Sequence, residues 1–452
     1  MAEAGLASGA SIQARLRRVF ADEHRAFWLI VANGVLARLF FEVFSVKRVI
    51  AAFLTELTHR EWMVGVALAV GPLTSCVPVL LFSHAMEHRS ARKPFYRLGA
   101  QIKWIAQFIL LASVLLLPRH PVLLAWMLIT MVAIYGLGDA VSLPAFGDIV
   151  ARSVPAWRRG RLFGLRVAIG GTLAFLAGDL IRRMLGAGSP VAFPYNYFVL
   201  FLTAFFILLG AQYCFLRVEE PPLERPAPAR MPLRAYLRHA GATLRGDRNA
   251  WRYALYRNLS PIGWLPAAFI VPYALDRLHF NAGVVGVLTS TAVIASSASN
   301  LGWGSLGDRR GNRAVLALSS LLLLVAAVLL ALTPLVALHG SQRDLLVWLV
   351  VVNAVGEVGL VGMGNGQLNY LYDLAPDDQV PLYVGAVTTA AAPMAVLAPL
   401  LIGAAVHRFD YDVVFVLGVV FSAAVLLASL ALGEPRLPER HAAARRGPRG
   451  DR

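Results

Sequence analysis

Charge is scarce in this sequence. Only 15% of its 452 residues are charged, and acidic residues are the rarer kind, with 26 Asp and Glu against 42 Lys and Arg. An ordinary soluble chain carries roughly 25% charged residues, so a water-soluble globular domain is not expected. The net charge of +16 comes without any stretch that interleaves basic and aromatic residues. A nucleic-acid partner is therefore not expected either.

Cysteines and the recurring motifs of enzymes are also scarce. The two cysteines, Cys76 and Cys214, both fall inside apolar stretches, which argues against a disulfide framework and against a metal cluster. The ten histidines show no ligand spacing. No phosphate-binding loop, dinucleotide fingerprint or nucleophile–base set can be located. We therefore expect no enzyme activity, no metal and no cofactor.

Long apolar runs dominate the chain instead. Hydrophobic residues make up 58% of it, and the mean hydropathy is +0.63. The run Ala314–Ala337 holds no charge and is long enough to cross the hydrocarbon layer as a helix. Because lipid cannot satisfy backbone polar groups, such runs must be helical. The sequence predicts an all-α integral membrane protein with twelve transmembrane helices, at 27–52, 62–82, 96–117, 121–149, 163–186, 198–217, 251–274, 283–304, 314–337, 345–371, 382–405 and 413–432.

Basic residues in the loops predict how the chain is oriented. Their clusters fall on one side of the predicted spans, and the positive-inside rule makes that side cytoplasmic. We expect a multi-pass protein of the plasma (inner) membrane with both termini in the cytoplasm. The clusters are Arg89/Arg92/Lys93, Arg158/Arg159/Arg161, Arg309/Arg310/Arg313 and the tail 436–452.

The longest polar stretch, 218–250, divides the predicted spans into two sets of six. It is rich in proline and arginine at its start and lacks a spanning pattern. The predicted organisation is a cytoplasmic N-terminal segment 1–26, a six-helix bundle 27–217, a cytoplasmic linker 218–250, a second bundle 251–432 and a cytoplasmic basic tail 433–452.

Two loops point to an internal repeat. The loop after the second span and the loop after the eighth can be aligned without gaps. Chance similarity of charged loops is one explanation, but the equivalent positions favour a repeat, which is how secondary transporters are commonly built. The alignment matches Glu87 with Asp308, Arg89 with Arg310 and Arg92 with Arg313.

The loop after the eighth span, Gly304–Arg313, reads GSLGDRRGNR. It resembles the loop signature of the major facilitator superfamily, in which a first copy follows the second span; here that copy is degraded. The resemblance implies two pseudo-symmetric six-helix bundles around a central cavity, with these loops as a cytoplasmic gate. A static charged turn is the alternative. The gate candidates are Gly304, Asp308, Arg309, Gly311, Arg313, Glu87, Arg89 and Arg92.

Several polar side chains lie inside predicted spans, where an ionisable group must face a cavity or a partner. Arg38 and Glu42 are four residues apart and share a helix face, so they either line the cavity or neutralise each other. Glu357 has no obvious cation nearby, which makes it the better proton-site candidate. The candidates for the substrate or proton pathway are Asn33, Arg38, Glu42, Asp139, Arg257, Asn353 and Glu357.

Three charged residues inside predicted spans have different expected roles. Asp139 either lines the pathway or caps a kink, and the sequence does not separate these roles. Lys103 is close enough to a cytoplasmic end to snorkel. Arg257 begins a stretch that also contains Pro261 and Gly263, a broken helix suited to a cavity wall.

These features predict a secondary active transporter that moves a small solute across the membrane by alternating access, as a proton-coupled symporter or antiporter. The alternatives are a non-transporting membrane receptor or partner protein on the same fold, and a lipid transporter or flippase. We expect a monomer in the lipid bilayer whose partners are a small molecule and protons. An anionic or zwitterionic solute is favoured by the intramembrane cations, which are Arg38, Lys47, Arg48 and Arg257.

Overall fold

The computed structural model describes residues 25–87, 89, 91–154, 156–222, 232, 235, 238, 241–242, 245–375 and 380–435. Most of the predicted N-terminal segment 1–26, the middle of the linker 218–250 and most of the tail 433–452 lie outside these residues. Within them the regular structure is helical, as predicted. The helices are α1 (25–43), a π-helical turn (Val46–Ile50), α2 (Ala51–Thr58), α3 (Glu61–Glu87), α4 (Lys93–Leu116), α5 (Pro121–Ser153), α6 (Ala156–Leu185), α7 (Tyr195–Leu216), α8 (Arg248–Trp264), a 3₁₀ turn (Leu265–Phe269), α9 (Ile270–Asp276), α10 (Val284–Arg310), α11 (Asn312–Ala331), α12 (Thr333–His339), α13 (Gln342–Leu374), α14 (Val380–Phe409) and α15 (Tyr411–Leu430).

Each of the twelve predicted spans coincides with a helical segment. Nine segments of the described chain are long and apolar enough to cross a membrane. The predicted spans 62–82, 163–186 and 251–274 correspond to α3, α6 and the succession α8–α9. The fold is that of a multi-pass, all-α membrane protein.

The chain forms two compact units that do not coincide with its two halves. The first unit comprises 1–45, 74–177 and 190–229, and the second comprises 46–73, 178–189 and 230–452. The second unit therefore contains α2, the first part of α3 and the last part of α6, in addition to the helices that follow the linker.

The first unit is held by an aromatic cluster and by one close helix crossing. The rings of Tyr96 and Phe146 both pack on Phe215, with centroids 4.4 and 4.7 Å away. The crossing joins α4 to α5 at Gly99 and Gly138. A Cβ placed on Gly99 would lie 2.5 Å from the carbonyl oxygen of Gly138, so the two backbones touch because neither residue has a side chain.

Glycine contacts also explain why parts of α3 and α6 belong to the second unit. A Cβ on Gly65 of α3 would lie 2.8 Å from the Cα of Gly403 in α14, and a Cβ on Gly178 of α6 would lie 2.8 Å from the amide nitrogen of Ser290 in α10. Small residues at both crossings let these helices pack closely. By the predicted orientation both crossings lie in the outer half of the membrane.

Candidate functional site

The first predicted span is broken, and the break positions two cations. Residues 44 and 45 interrupt the α-helix, and the chain continues as the π-helical turn Val46–Ile50 and then as α2 to Thr58. The predicted span 27–52 is therefore interrupted near its outer end, and its last helix continues to Thr58. Local π-helix within a helix frequently marks a functional site. Here the turn carries Lys47 and Arg48.

Both cations bind one carboxylate of α13. The Lys47 Nζ donates a hydrogen bond to the Oε1 of Glu357, and the Arg48 Nη1 donates to the same oxygen at 3.0 Å. The side chains of Arg48 and Glu357 are 7% and 13% exposed. The expectation that Glu357 lacks a nearby cation is wrong, because its partners are about 310 residues away in sequence.

These three side chains line a pocket inside the second unit. Its empty volume, open solvent included, is about 670 Å³. The rest of the wall is mainly apolar, with aromatic rings at Trp264 and Phe415. Two cations and one carboxylate leave the wall one positive charge in excess. A mostly apolar pocket with a few converging polar groups is the usual form of a small-molecule site.

Asn353 also lines this pocket, one helical turn before Glu357 on α13. Its Nδ2 donates to the carbonyl oxygen of Leu288 in α10 at 2.8 Å. Asn353 and Glu357, both predicted pathway residues, therefore line the same pocket.

The seventh predicted span forms another wall of the pocket and is itself discontinuous. α8 contains Pro261 and ends at Trp264, a 3₁₀ turn covers Leu265–Phe269, and α9 follows. The predicted break is confirmed, and Gly263, Trp264 and Pro266 line the pocket beside it. The first and seventh spans thus both break next to the same pocket, an arrangement that transporter folds use at their binding sites.

The remaining pathway candidates lie in the first unit. The Nδ2 of buried Asn33 donates to the carbonyl oxygen of Ala211 at 2.8 Å. Arg38 and Glu42 form an ion pair of 3.0 Å in which Glu42 is 6% exposed and Arg38 42%. This contact agrees with the self-neutralised alternative.

Asp139 forms an ion pair with Lys103, a residue that was expected to reach the membrane surface instead. The Lys103 Nζ lies 2.9 Å from its Oδ1 and 3.0 Å from the Oγ of Ser142. The Lys103 side chain is 8% exposed, so the expectation that it snorkels to a membrane surface is wrong. The glycine contact between α4 and α5 brings Lys103 and Asp139 together. The kink-capping interpretation of Asp139 has no contact to support it among the described residues.

The gate motif is helical almost to its end. α10 continues through Gly304, Asp308 and Arg309 to Arg310, so the expected loop from Gly304 to Arg313 shrinks to the single residue Gly311. Its φ of 86° is a conformation that glycine adopts readily. Asp308 and Arg309 are exposed. Arg313 donates to the carbonyl oxygen of Leu430 at 2.9 Å.

The first copy of the motif is tied to the start of the linker. The backbone nitrogens of Arg92 and Lys93 donate to the carboxylate of Glu220 at 2.7 and 2.9 Å, and the Arg92 Nε lies 3.3 Å from the Oδ2 of Asp148. Arg89 is exposed, and the side chain of Glu87 lies outside what the structure describes. Glu220 therefore occupies the N-terminus of α4, where a carboxylate is favoured.

An equivalent acid stands at the matching place in the second unit. A Cβ on Gly311, just before α11, would meet the carboxylate of Glu434 at 2.5 Å. Glu220-Pro221 follows α7, and Glu434-Pro435 follows α15. The repeated Glu-Pro after the last helix of each half was a readable sign of the internal repeat, and neither glutamate was among the predicted residues.

Comparison with known proteins agrees with this fold. Residues 254–450 match the family model of the Major Facilitator Superfamily. A point mutant of the nucleoside transporter NupG superposes with a TM-score of 0.69 at 11% identity, covering 90% of this chain and 99% of that one. A bacterial homologue of the iron transporter ferroportin in its inward-facing state gives 0.60 at 14% identity, covering 90% and 99%. No curated protein matches the sequence.

The second half of the chain is thus similar to the Major Facilitator Superfamily, and the chain shares the fold of these solved transporters.

Proposed function

We propose that the protein is a proton-coupled secondary transporter whose solute binds in the pocket of Lys47, Arg48, Asn353 and Glu357. The observation that carries the proposal is the pair of ion pairs on Glu357. They join the outer part of the first span to α13 beside a mainly apolar pocket. Alternating access requires contacts that form in one state and break in another.

Glu357 supplies such a contact. When the segment 46–73 moves away from α13, its carboxylate loses both cations and is left in a mainly apolar wall. A carboxylate in that setting takes up a proton more readily than one beside two cations. Return of Lys47 and Arg48 expels the proton. Proton movement is thereby linked to the opening of the pocket.

The structural neighbours suggest which solutes to test first. The pocket combines aromatic rings with polar groups, which suits an organic molecule. It suits a divalent iron less well, because its wall has a positive charge in excess. The described residues also hold no cluster of three or more His, Cys, Asp or Glu side chains that would bind a metal ion. Uridine and organic acids are therefore the first solutes of the panel.

We further propose a plasma (inner) membrane location with both termini in the cytoplasm, and a monomeric state. The positions of the basic loop clusters support the orientation. The exposed apolar side chains of the helices, such as Phe108, Leu116 and Leu301 at 64%, 77% and 84% exposure, suit contact with lipid.

The test is solute-driven proton movement in proteoliposomes that hold a pH-sensitive dye. Wild-type protein should move protons when a transported member of the panel is added. Glu357→Gln should abolish this movement while leaving solute binding and folding measurable. Glu219→Gln is the matched control, because Glu219 is exposed at the start of the linker. Undiminished proton movement in Glu357→Gln would reject the coupling role, and binding without any flux in the wild type would reject transport itself.

A further inference from the structure

One intramembrane cation of the second unit is held by an amide and not by a carboxylate. Arg257 of α8 donates from its Nη1 to the Oε1 of Gln367 in α13. Among the described residues no Asp or Glu oxygen lies within ion-pair distance of its guanidinium. An arginine inside a membrane protein normally faces a cavity or pairs with an acid.

Gln367 is fixed in place by the residues around it. Its Nε2 donates to the Ser260 Oγ at 3.1 Å, and its backbone carbonyl accepts from the hydroxyl of Tyr253 at 2.5 Å. Ser260 in turn donates to the carbonyl oxygen of Tyr256 at 2.7 Å. Gln367, Ser260 and Tyr253 are all buried. The amide oxygen is thus held toward Arg257 by a network that contains no charge of its own.

This arrangement orients the guanidinium without neutralising it. Gln367 takes one of the five N–H donors of Arg257. Arg257 is partly exposed, and none of its nitrogens is among the buried polar atoms without a partner. Donors therefore remain accessible in the planar fork that matches a carboxylate or a phosphate.

Arg257 lies on the same two helices as the pocket, displaced along them. Gly263, a pocket residue of α8, follows Arg257 by six residues, or about 9 Å of helix. Gln367 follows Glu357 on α13 by ten residues, or about 15 Å. Since α8 and α13 run in opposite directions through the membrane, both shifts point to the predicted cytoplasmic side. Lys47 and Arg48 mark the outer end of this line of positive charge.

We propose that Arg257, oriented by Gln367, binds the oxyanion of the transported solute, so that the solute is a small organic carboxylate or phosphate. The inference rests on the proposed transport function and deepens it. The anion is received at one end by Lys47 and Arg48 and at the other by Arg257. At Arg257 the oxyanion meets the N–H donors that Gln367 leaves accessible.

The test is anion binding to the purified full-length protein, followed by its melting temperature. The probes are uridine monophosphate, succinate and uridine. At least one of the two anions should raise the melting temperature in a concentration-dependent way, and uncharged uridine should not do so at the same concentration. Comparison of the phosphate with the dicarboxylate then separates the two anion classes. Arg257→Gln should weaken the apparent affinity about ten- to a hundredfold, the value of a lost hydrogen bond to a charged group, and Arg257→Lys should restore part of it.

Arg252→Gln is the matched control. Arg252 lies on the same helix and donates to the backbone carbonyl of Ala431, so its loss should leave anion binding unchanged. The proposal is overturned if neither anion stabilises the protein, if uridine stabilises it equally, or if Arg257→Gln binds as the wild type does. Anion binding that requires Arg257 but comes without flux would sustain the site and sink the transport function. Flux of uridine that survives Arg257→Gln would do the reverse.

Discussion

The two compact units differ in how the charged side chains inside their helices are paired. In the first, Lys103 and Asp139 pair one to one, with a hydroxyl completing the contact. In the second, two cations share the single carboxylate of Glu357. A carboxylate that binds two cations keeps one of them when the other turns to a ligand, whereas a one-to-one pair does not. This difference supports the proposed solute site in the second unit and a structural role for the pair in the first.

The sharpest test of this difference removes one cation from each set. Lys103→Met leaves Asp139 charged with no cation in reach among the described residues. Breaking a buried ion pair costs 3–5 kcal/mol, and we expect about 3 kcal/mol because Asp139 is partly exposed. Lys47→Met should cost less, about 1 kcal/mol, because Arg48 still binds Glu357. Melting temperatures of the purified variants measure both effects.

The double variant Lys103→Met/Asp139→Asn is the control for this prediction. It removes the charge that Lys103→Met leaves behind, and it should recover most of the lost stability. Equal losses in Lys103→Met and Lys47→Met would contradict the contrast between the two units.

A second test compares the glycine crossings. Gly99→Ala pushes a methyl group into the carbonyl of Gly138 in the first unit, and we expect a loss of about 1–3 kcal/mol from overpacking. Gly65→Ala meets the backbone of α14 in the second unit at 2.7 Å from the carbonyl oxygen of Pro399. If that crossing opens during transport, the protein can escape the clash by opening. Its stability should then fall less, and the labelling of a cysteine placed near Gly65 should rise.

Gly71→Ala is the matched control for the crossings. Gly71 lies on the same helix as Gly65, and a Cβ there would meet nothing within 4 Å. Stability and labelling should both stay at the wild-type level. A crossing at Gly65 that resists labelling as firmly as wild type, with a stability loss equal to that of Gly99→Ala, would make it a static contact.

How far the sequence alone leads differs between the fold and the site. Apolar runs were sufficient to predict a helical segment at each of the twelve positions, because lipid forces such runs into helices. They could not show the break at residues 44 and 45, since no glycine or proline stands there. They could not pair Lys47 with Glu357 or Lys103 with Asp139 either. Those contacts depend on helix rotation and on segments distant in sequence, which periodicity does not specify.

The smallest expected effect concerns two acids near the membrane surface, one in each unit. In the first unit, burial alone would raise the pKa of Glu220, but hydrogen bonds from Arg152 and from the backbone of Arg92 and Lys93 hold it below the ordinary glutamate value of 4.5. In the second unit, burial and the nearby charge of Glu61 raise the pKa of Asp276 above its ordinary 3.8, against hydrogen bonds from Tyr411 and His59.

These two shifts make stability depend on pH in opposite directions. An acid whose pKa is lowered by folding contributes stability that is present above its unfolded pKa. This stability is lost as the pH falls through its folded pKa. Protonation of Glu220 should therefore destabilise the protein, and only below about pH 4.5. An acid whose pKa is raised by folding contributes stability that is present below its unfolded pKa. This stability is lost as the pH rises through its folded pKa. Asp276→Asn should accordingly remove a loss of stability that begins above pH 3.8, whereas Glu220→Gln should flatten the acid limb. Melting curves from pH 3 to pH 7 would show both, and a common direction for the two variants would mean that the surfaces of the two units are electrostatically alike.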